Sequence, residues 1–273
     1  MTVVAITREM GTLGKDVATG LGEALGLPVI YHEIIDHLAD RMRVRRSHVV
    51  RLLDGKAGLL ERLSSDRTSL FLHSAEEVID FARRGKGAII RGWGATHLLH
   101  DVPHVICTRI CAPAQLRIAR MMDRLNTDDA NQVESEIRTN DEAHAAVIRR
   151  HFGVQWTDAE HYDTVLNTDR LSVDECVDSI LQLVRLPQFS QTDASQQRLE
   201  DLALAARVRA ALRRSPETRA HKAEVRCDAG RVTLSGTVNT DQRLAMLEVV
   251  VGVPGVLDVA WRSHDAPDQR RSA

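Results

Sequence analysis

The residues best equipped for chemistry in this chain are a glycine-flanked lysine and a row of arginines. Gly11-Thr12-Leu13-Gly14-Lys15-Asp16 follows a short apolar, β-branched run, Val3-Val4-Ala5-Ile6-Thr7, and precedes a helical stretch. At such a junction the free N–H groups of the helix start, and the positive end of its dipole, face an anion. Glycines let the backbone curl around phosphate oxygens, and Lys15 can neutralise charge on β- and γ-phosphates. The full phosphate-binding loop reads G-x-x-x-x-G-K-[ST]. With Gly14-Lys15 aligned to it, Glu9 stands at the first glycine. Asp16 stands at the hydroxyl residue that normally meets Mg²⁺. Taken alone, the motif also describes an ordinary glycine turn between strand and helix.

Arg117, Arg120 and Arg124 recur at i, i+3 and i+7, which puts three guanidinium groups on one helical face. Cations in such a row suit a transferring phosphoryl group, whose catalysis is mostly charge stabilisation and exclusion of water. A solvated helix face has the same spacing. Arg91 ends an apolar run, Gly87-Ala88-Ile89-Ile90-Arg91, at the strand end where α/β proteins bind ligands. His32 and Glu33 open a helix near the same edge and join Arg91 as candidate acceptor-binding residues.

The elements that must position these groups alternate. Short apolar strands are expected at 3–7, 28–31, 87–91, 104–108 and 163–167. Helical patterns lie between them, with Val17, Leu21, Ala24 and Leu25 on one face of the first. The stretch from Glu33 to about Arg84 reads as helical in several pieces, broken near Asp54-Gly55 and Ser64-Ser65. Ser172 is placed to cap the last helix of this part. Alternation of this kind predicts an α/β fold with a parallel sheet covered on both faces. Beyond Leu186 the texture changes: residues 187–197 are polar and aperiodic and read as a linker. A helix from about Leu199 to Arg213, a hairpin around Asp228-Ala229-Gly230, a second helix and a last strand follow. That order, α-β-β-α-β, describes a second, smaller α+β domain over 198–262. Residues 263–273 are expected to be a disordered tail.

Composition narrows the classes. The 273 residues carry a net charge of −2 and only 3% aromatic side chains, which argues against a nucleic-acid partner. Cys107, Cys111, Cys176 and Cys227 lack zinc-site spacing and read as reduced thiols. No run approaches the roughly 18 apolar residues of a membrane helix, and the amino terminus has no signal-peptide pattern, so a cytoplasmic protein is expected.

Thr7-Arg8-Glu9-Met10-Gly11-Thr12-Leu13-Gly14-Lys15 resembles the opening of the cytidylate kinase-like family, whose members carry S-R-E-[FY]-G-S-G-G-[RK] after the first strand. Pro28 followed by Glu33-Ile34-Ile35, Gly92-x-Gly94-Ala95-x-x-x-Leu99, and Tyr162-Asp163 leading to Asn167-Thr168-x-Arg170-Leu171 agree in order. The resemblance implies a P-loop kinase fold with a five-stranded parallel sheet over residues 1–186. It implies ATP and Mg²⁺ as cofactors, and a nucleoside monophosphate such as CMP as acceptor. Lys15, Arg117, Arg120 and Arg124 then take the catalytic roles. Gly11, Thr12, Leu13, Gly14, Lys15 and Asp16 hold the nucleotide, and Asp16 also serves the metal. Residues 126–152, with Arg138, Arg149 and Arg150, take the place of a lid.

Three departures stand out: Trp93 replaces the arginine of G-R-G-A, His144 that of D-x-x-R in the lid, and Tyr31 an acidic residue common after the second strand. An imidazole cannot make a guanidinium's bidentate contact. A nucleotide-binding sensor without turnover therefore stands beside the kinase reading, and a structural adaptor is a third. The motif Asp228-Ala229-Gly230-Arg231-Val232-Thr233-Leu234-Ser235-Gly236-Thr237-Val238, with Gly252-Val253-Pro254-Gly255-Val256, resembles a BON domain. That likeness implies a protein or phospholipid partner.

Overall fold

Alternate residues of the first apolar run are buried on opposite sides of one sheet. Val3 and Ala5 enter one core, Val4 and Ile6 the other. A strand apolar on both faces belongs in the middle of a covered parallel sheet, and there it lies. The computed structural model describes residues 1–42, 44–47, 49, 67–92 and 94–262. The helix breaks expected at 54–55 and 64–65, Trp93 and the expected tail at 263–273 lie outside them.

Strands β1 (Thr2–Arg8), β2 (Val29–Ile30), β3 (Gly87–Arg91), β4 (Val105–Cys111) and β5 (Thr164–Asn167) pair in parallel in the order β2-β3-β1-β4-β5. The chain passes from β1 to one side and returns to the other, so β1 sits at the switch point of the topology, where the strand ends leave a crevice. Helices α1 (Gly14–Leu25) and α7 (Val173–Val184) cover the face of Val4 and Ile6. In α1 the buried face is Val17, Ala18 and Leu21; Ala24, expected on it, is exposed. A capping box starts α7: the Glu175 N–H donates to Ser172 Oγ at 3.2 Å and the Ser172 N–H to Glu175 Oε2 at 2.8 Å.

The opposite face carries α2 (His32–Met42), α3 (Arg67–Arg83) and the short α4 (Ala95–Leu98). Helices α5 (Ala114–Leu125) and α6 (Ala130–Phe152) pack on each other through Ile118, Met121, Val133 and Ile137 beside β4 and β1. No helix among the described residues is long and apolar enough to cross a membrane.

The segment expected to be an aperiodic linker is structured. Residues Pro187–Phe189 make a single 3₁₀ turn, and α8 runs from Asp193 to Arg214. A capping box starts it, with the Ser195 N–H donating to Thr192 Oγ1 at 3.1 Å and the Thr192 N–H to Ser195 Oγ at 2.9 Å. Polar residues that look like linker in sequence are here the first turn and outer face of a helix. Leu199, Ala203 and Ala206 of α8 lie in the core over α3, whereas Leu204, Ala205, Val208 and Leu212 enter the C-terminal core. That second core is closed by β6 (Glu224–Asp228), β7 (Arg231–Ser235), α9 (Thr240–Val251) and β8 (Asp258–Arg262). Strand β6 pairs antiparallel with β7, and β7 parallel with β8. At the hairpin, Ala229 takes a left-handed conformation (φ 47°), and its N–H donates to the buried Asp201 of α8 at 2.8 Å. That bond helps offset the roughly 1–2 kcal/mol such a residue costs.

Polar ties reinforce the seam between α8 and the first unit. Arg83 pairs with Glu200, Arg198 with Asp101 at 3.3 Å, and His104 Nδ1 shares a hydrogen bond with Ser195 Oγ at 2.8 Å. A carboxylate at Ala203, which is 2% exposed, would be buried unpaired. Ala203→Asp is expected to lower stability in urea by about 3 kcal/mol or more. A change below about 1 kcal/mol would mean that α8 does not seat on α3.

Candidate functional site

At the tip of β1 the chain turns through Glu9–Leu13 and enters α1 at Gly14. Gly11 (φ 83°) and Leu13 (φ 60°) are left-handed, and Leu13 O accepts the N–H groups of Asp16 at 2.9 Å and Val17 at 3.0 Å. The N–H groups of Gly11 to Lys15 have no hydrogen-bond partner among the described residues. A string of open donors at the start of a twelve-residue helix is an anion cradle. Lys15 and Asp16 are exposed at its mouth, and no carboxylate lies within ion-pair reach of Lys15 among the described residues.

The three arginines of α5 do different things. Arg117 is buried; its Nε donates to Met10 O at 2.7 Å, and its guanidinium pairs with Asp141 at 2.5 Å and Glu9 at 3.3 Å. Glu9 also pairs with Arg109 of β4. Two guanidinium groups and two carboxylates thus form a matched quartet at the root of the loop, and Arg117, expected on a phosphate-facing row, spends its charge there. Burial raises the pKa of Asp141, with Arg117 and the Met10 N–H acting against the shift. Arg120 donates to Thr168 Oγ1 at 3.0 Å and Thr168 O at 2.8 Å, and Thr168 Oγ1 donates to Thr12 O at 2.9 Å. It braces the loop from behind while meeting no carboxylate among the described residues. Arg124 is exposed, and its charge reaches Arg91. The lid-position arginines Arg138, Arg149 and Arg150 are all exposed.

Arg91, at the end of β3, is 7% exposed, with its guanidinium 3.9 Å from the centre of the Tyr31 ring. Its Nε has no partner, and no carboxylate pairs with it among the described residues. Burial lowers its pKa to about 10, with Arg8 adding to the shift. A buried cation without a counter-charge is a standing invitation to an anion. Tyr31 thus takes a definite part where the family more often has an acid: it holds the guanidinium face. Glu33 accepts the Tyr31 N–H at 3.0 Å, and His32 meets the Tyr31 ring edge-on; both residues are exposed.

Helix α6 reaches back to β1 through a second residue, one turn after Asp141. His144 Nε2 shares a hydrogen bond of 3.2 Å with Thr7 Oγ1, and the imidazole packs against Trp156. Burial, then His97 and Arg8, lower its pKa to about 4, so it is neutral near pH 7. Burial likewise takes His97 and His151 to about 4. The quartet and the His144 contact are what sequence reasoning missed. A carboxylate at the first glycine of the loop motif was the available signal, since an acid buried there demands cationic partners.

Two family profiles match the chain in order: that of the cytidylate kinase-like family over residues 3–170, and that of the BON domain over residues 200–261. An uncharacterized protein from Eubacterium ventriosum ATCC 27560 is similar in fold, with a TM-score of 0.53 and 20% identity over 67% of this chain and 98% of its own. Similarity extends to the shikimate kinase of Bacteroides thetaiotaomicron (TM-score 0.44, 13% identity, 68% of this chain and 99% of that one). A sugar kinase from Janibacter sp. HTCC2649 is comparable (TM-score 0.44, 16% identity, 70% and 99%). No curated protein matches the chain.

Two predictions follow from this geometry. Arg117→Ala leaves Glu9 and Asp141 poorly compensated and should lower stability in urea by about 3–5 kcal/mol, whereas Arg124→Ala should change it by less than about 0.5 kcal/mol. The second concerns pH. Below the ordinary histidine value of 6.5, the unfolded chain takes up protons that folded His144, His97 and His151 refuse down to about 4. Their stabilising contribution is therefore complete above about pH 6.5 and is lost as pH falls toward 4. The melting temperature should drop across that window, and His144→Gln should make the slope shallower; an unchanged slope would refute the assignment to His144.

Proposed function

The chain belongs to the cytidylate kinase-like family, and from that premise we propose that it transfers the γ-phosphoryl group of ATP to a small anionic acceptor, a nucleoside monophosphate such as CMP. The observation that carries the proposal is the pairing of two anion sites at one sheet edge: the open N–H cradle after β1 and the uncompensated Arg91 at the end of neighbouring β3. One suits the phosphates of the donor, the other the phosphate of the acceptor.

In this reading the backbone of Gly11 to Lys15 binds the β- and γ-phosphates, with the Lys15 ammonium adding charge at the mouth. Asp16, an exposed hard-oxygen donor in the first turn of α1, fits the single carboxylate that Mg²⁺ takes alongside water and phosphate oxygens, and Mg²⁺ there would neutralise phosphate charge. Arg91, its face held by Tyr31, orients the acceptor phosphate; Glu33 and His32 line the same end of the sheet. Arg124 supplies further positive charge for the transferring group, while Arg120, through Thr168, and Arg117, through Met10 O, position the loop without touching substrate. In-line transfer needs little else, because most of the barrier is lowered by placement and charge. The BON domain would serve as a partner-binding module.

A second reading, a nucleotide sensor without turnover, is favoured by two observations. His144, neutral and bonded to Thr7, occupies the lid position where the family has an arginine, and Arg117 is already charge-matched.

The test is a titration of the purified chain with ATP and Mg²⁺, followed by addition of CMP and assay for ADP. Turnover is expected. Lys15→Ala should abolish nucleotide binding while leaving the circular dichroism spectrum intact, and Arg91→Gln should raise the acceptor KM by about 10- to 100-fold. ATP binding without ADP formation over any nucleoside monophosphate would discard the kinase reading in favour of the sensor.

A further inference from the structure

A second concentration of arginines lies outside the P-loop site. Between α8 and the β6–β7 hairpin runs an open cleft of about 460 Å³, in the size range of small-molecule sites. Arg198 and Arg209 line it from α8, Arg226 and Arg231 from the hairpin, and Asp101 from the loop before β4. Three carboxylates share the walls with these four guanidinium groups, and two of them are occupied. Asp201 accepts the Ala229 N–H at 2.8 Å and a Gln197 side-chain N–H at 3.0 Å, and Asp101 pairs with Arg198 at 3.3 Å. The third, Asp228, sits opposite Arg231 in the hairpin register and is exposed.

Arg209 is the residue without an internal explanation. It is half-buried and makes one hydrogen bond, to Val225 O at 2.9 Å, and no carboxylate pairs with it among the described residues. Burial lowers its pKa. A guanidinium held that way has desolvation against it and no counter-charge to offset it, and its planar fork matches a phosphate. Arg231 and Arg226 stand exposed on the facing wall; among the described residues Arg226 pairs only with the distant Glu224, at 3.9 Å.

We propose that this cleft binds a soluble phosphate-bearing small molecule, with Arg209 and Arg231 gripping the phosphate and Arg226 at the rim. Asp101, from the P-loop unit, lines the same cleft as these residues of the C-terminal unit. The proposal does not rest on the kinase reading.

The test uses the full chain carrying Lys15→Ala, titrated calorimetrically with sodium pyrophosphate. Saturable one-site binding is expected. Adding Arg226→Gln and Arg231→Gln, both at exposed positions, should weaken it at least 10-fold. The charge-matched pair Arg185→Gln and Arg262→Gln should weaken it less than 2-fold. Co-sedimentation with phosphatidylglycerol vesicles separates a lipid headgroup from a free phosphate. Absence of saturable pyrophosphate binding, equal loss in both double variants, or binding to vesicles alone would overturn the proposal.

Discussion

A Cβ on Gly11 would lie 2.8 Å from the Arg117 carbonyl oxygen, and one on Gly14 would lie 2.7 Å from Arg8 Cβ. Contacts that short are not tolerated, so the backbone between β1 and α1 can fold this tightly only with hydrogen at both positions. Everything else at the site follows from the close approach. The start of α5 and the Arg8 side chain press against the bend, and the loop N–H groups are turned away from protein partners. Thr12 O is held from behind by the Thr168 hydroxyl, which Arg120 fixes in turn. Leu13 adopts a left-handed conformation that costs about 1–2 kcal/mol, as is common where backbone geometry serves binding.

Charge at the site is divided into two kinds. Glu9, Arg109, Arg117 and Asp141 cancel one another at low exposure and tie the loop after β1 to β4, α5 and α6. Buried pairs of this sort add little net stability, yet removing one member is expensive, so they act as structural locks. Among the described residues, Arg91, Arg120 and Arg124 are not cancelled in this way. Tyr31 lets Arg91 remain buried without a carboxylate, by offering its ring face to the guanidinium. An acid there would neutralise the cation.

Helix α8 makes the C-terminal unit part of the architecture of the first. One side seats Leu199, Ala203 and Ala206 over α3, and another closes the core of the β6-β7-β8 sheet with Leu204, Val208 and Leu212. Helix α3 is joined to α2 by the pairs His37–Glu77 and Arg41–Glu76, and α2 begins directly after Tyr31. Packing and ion pairs therefore run without a gap from the C-terminal sheet to the element beside Arg91.

Local pattern was enough for the elements that carry their own signal. Strands β1, β3 and β4 are short and apolar on both faces, the glycine bend sits between a strand and a helix, and Ser172 announces α7. Backbone geometry and side-chain period decide these over a few residues, so the parallel α/β fold, the P-loop and the BON hairpin were legible in order. The start of α8 was not: apolar residues are spread around that helix because it serves two cores, and a helix without one apolar stripe opens with polar residues that resemble a linker. Nor could spacing distinguish Arg117 from Arg120 and Arg124. One turn of helix separates matched from unmatched charge, and the match is made by Glu9 and Asp141, which only folding brings to the same place. Long-range electrostatics and shared burial belong to tertiary structure because they depend on which distant segments meet, and no local periodicity records that.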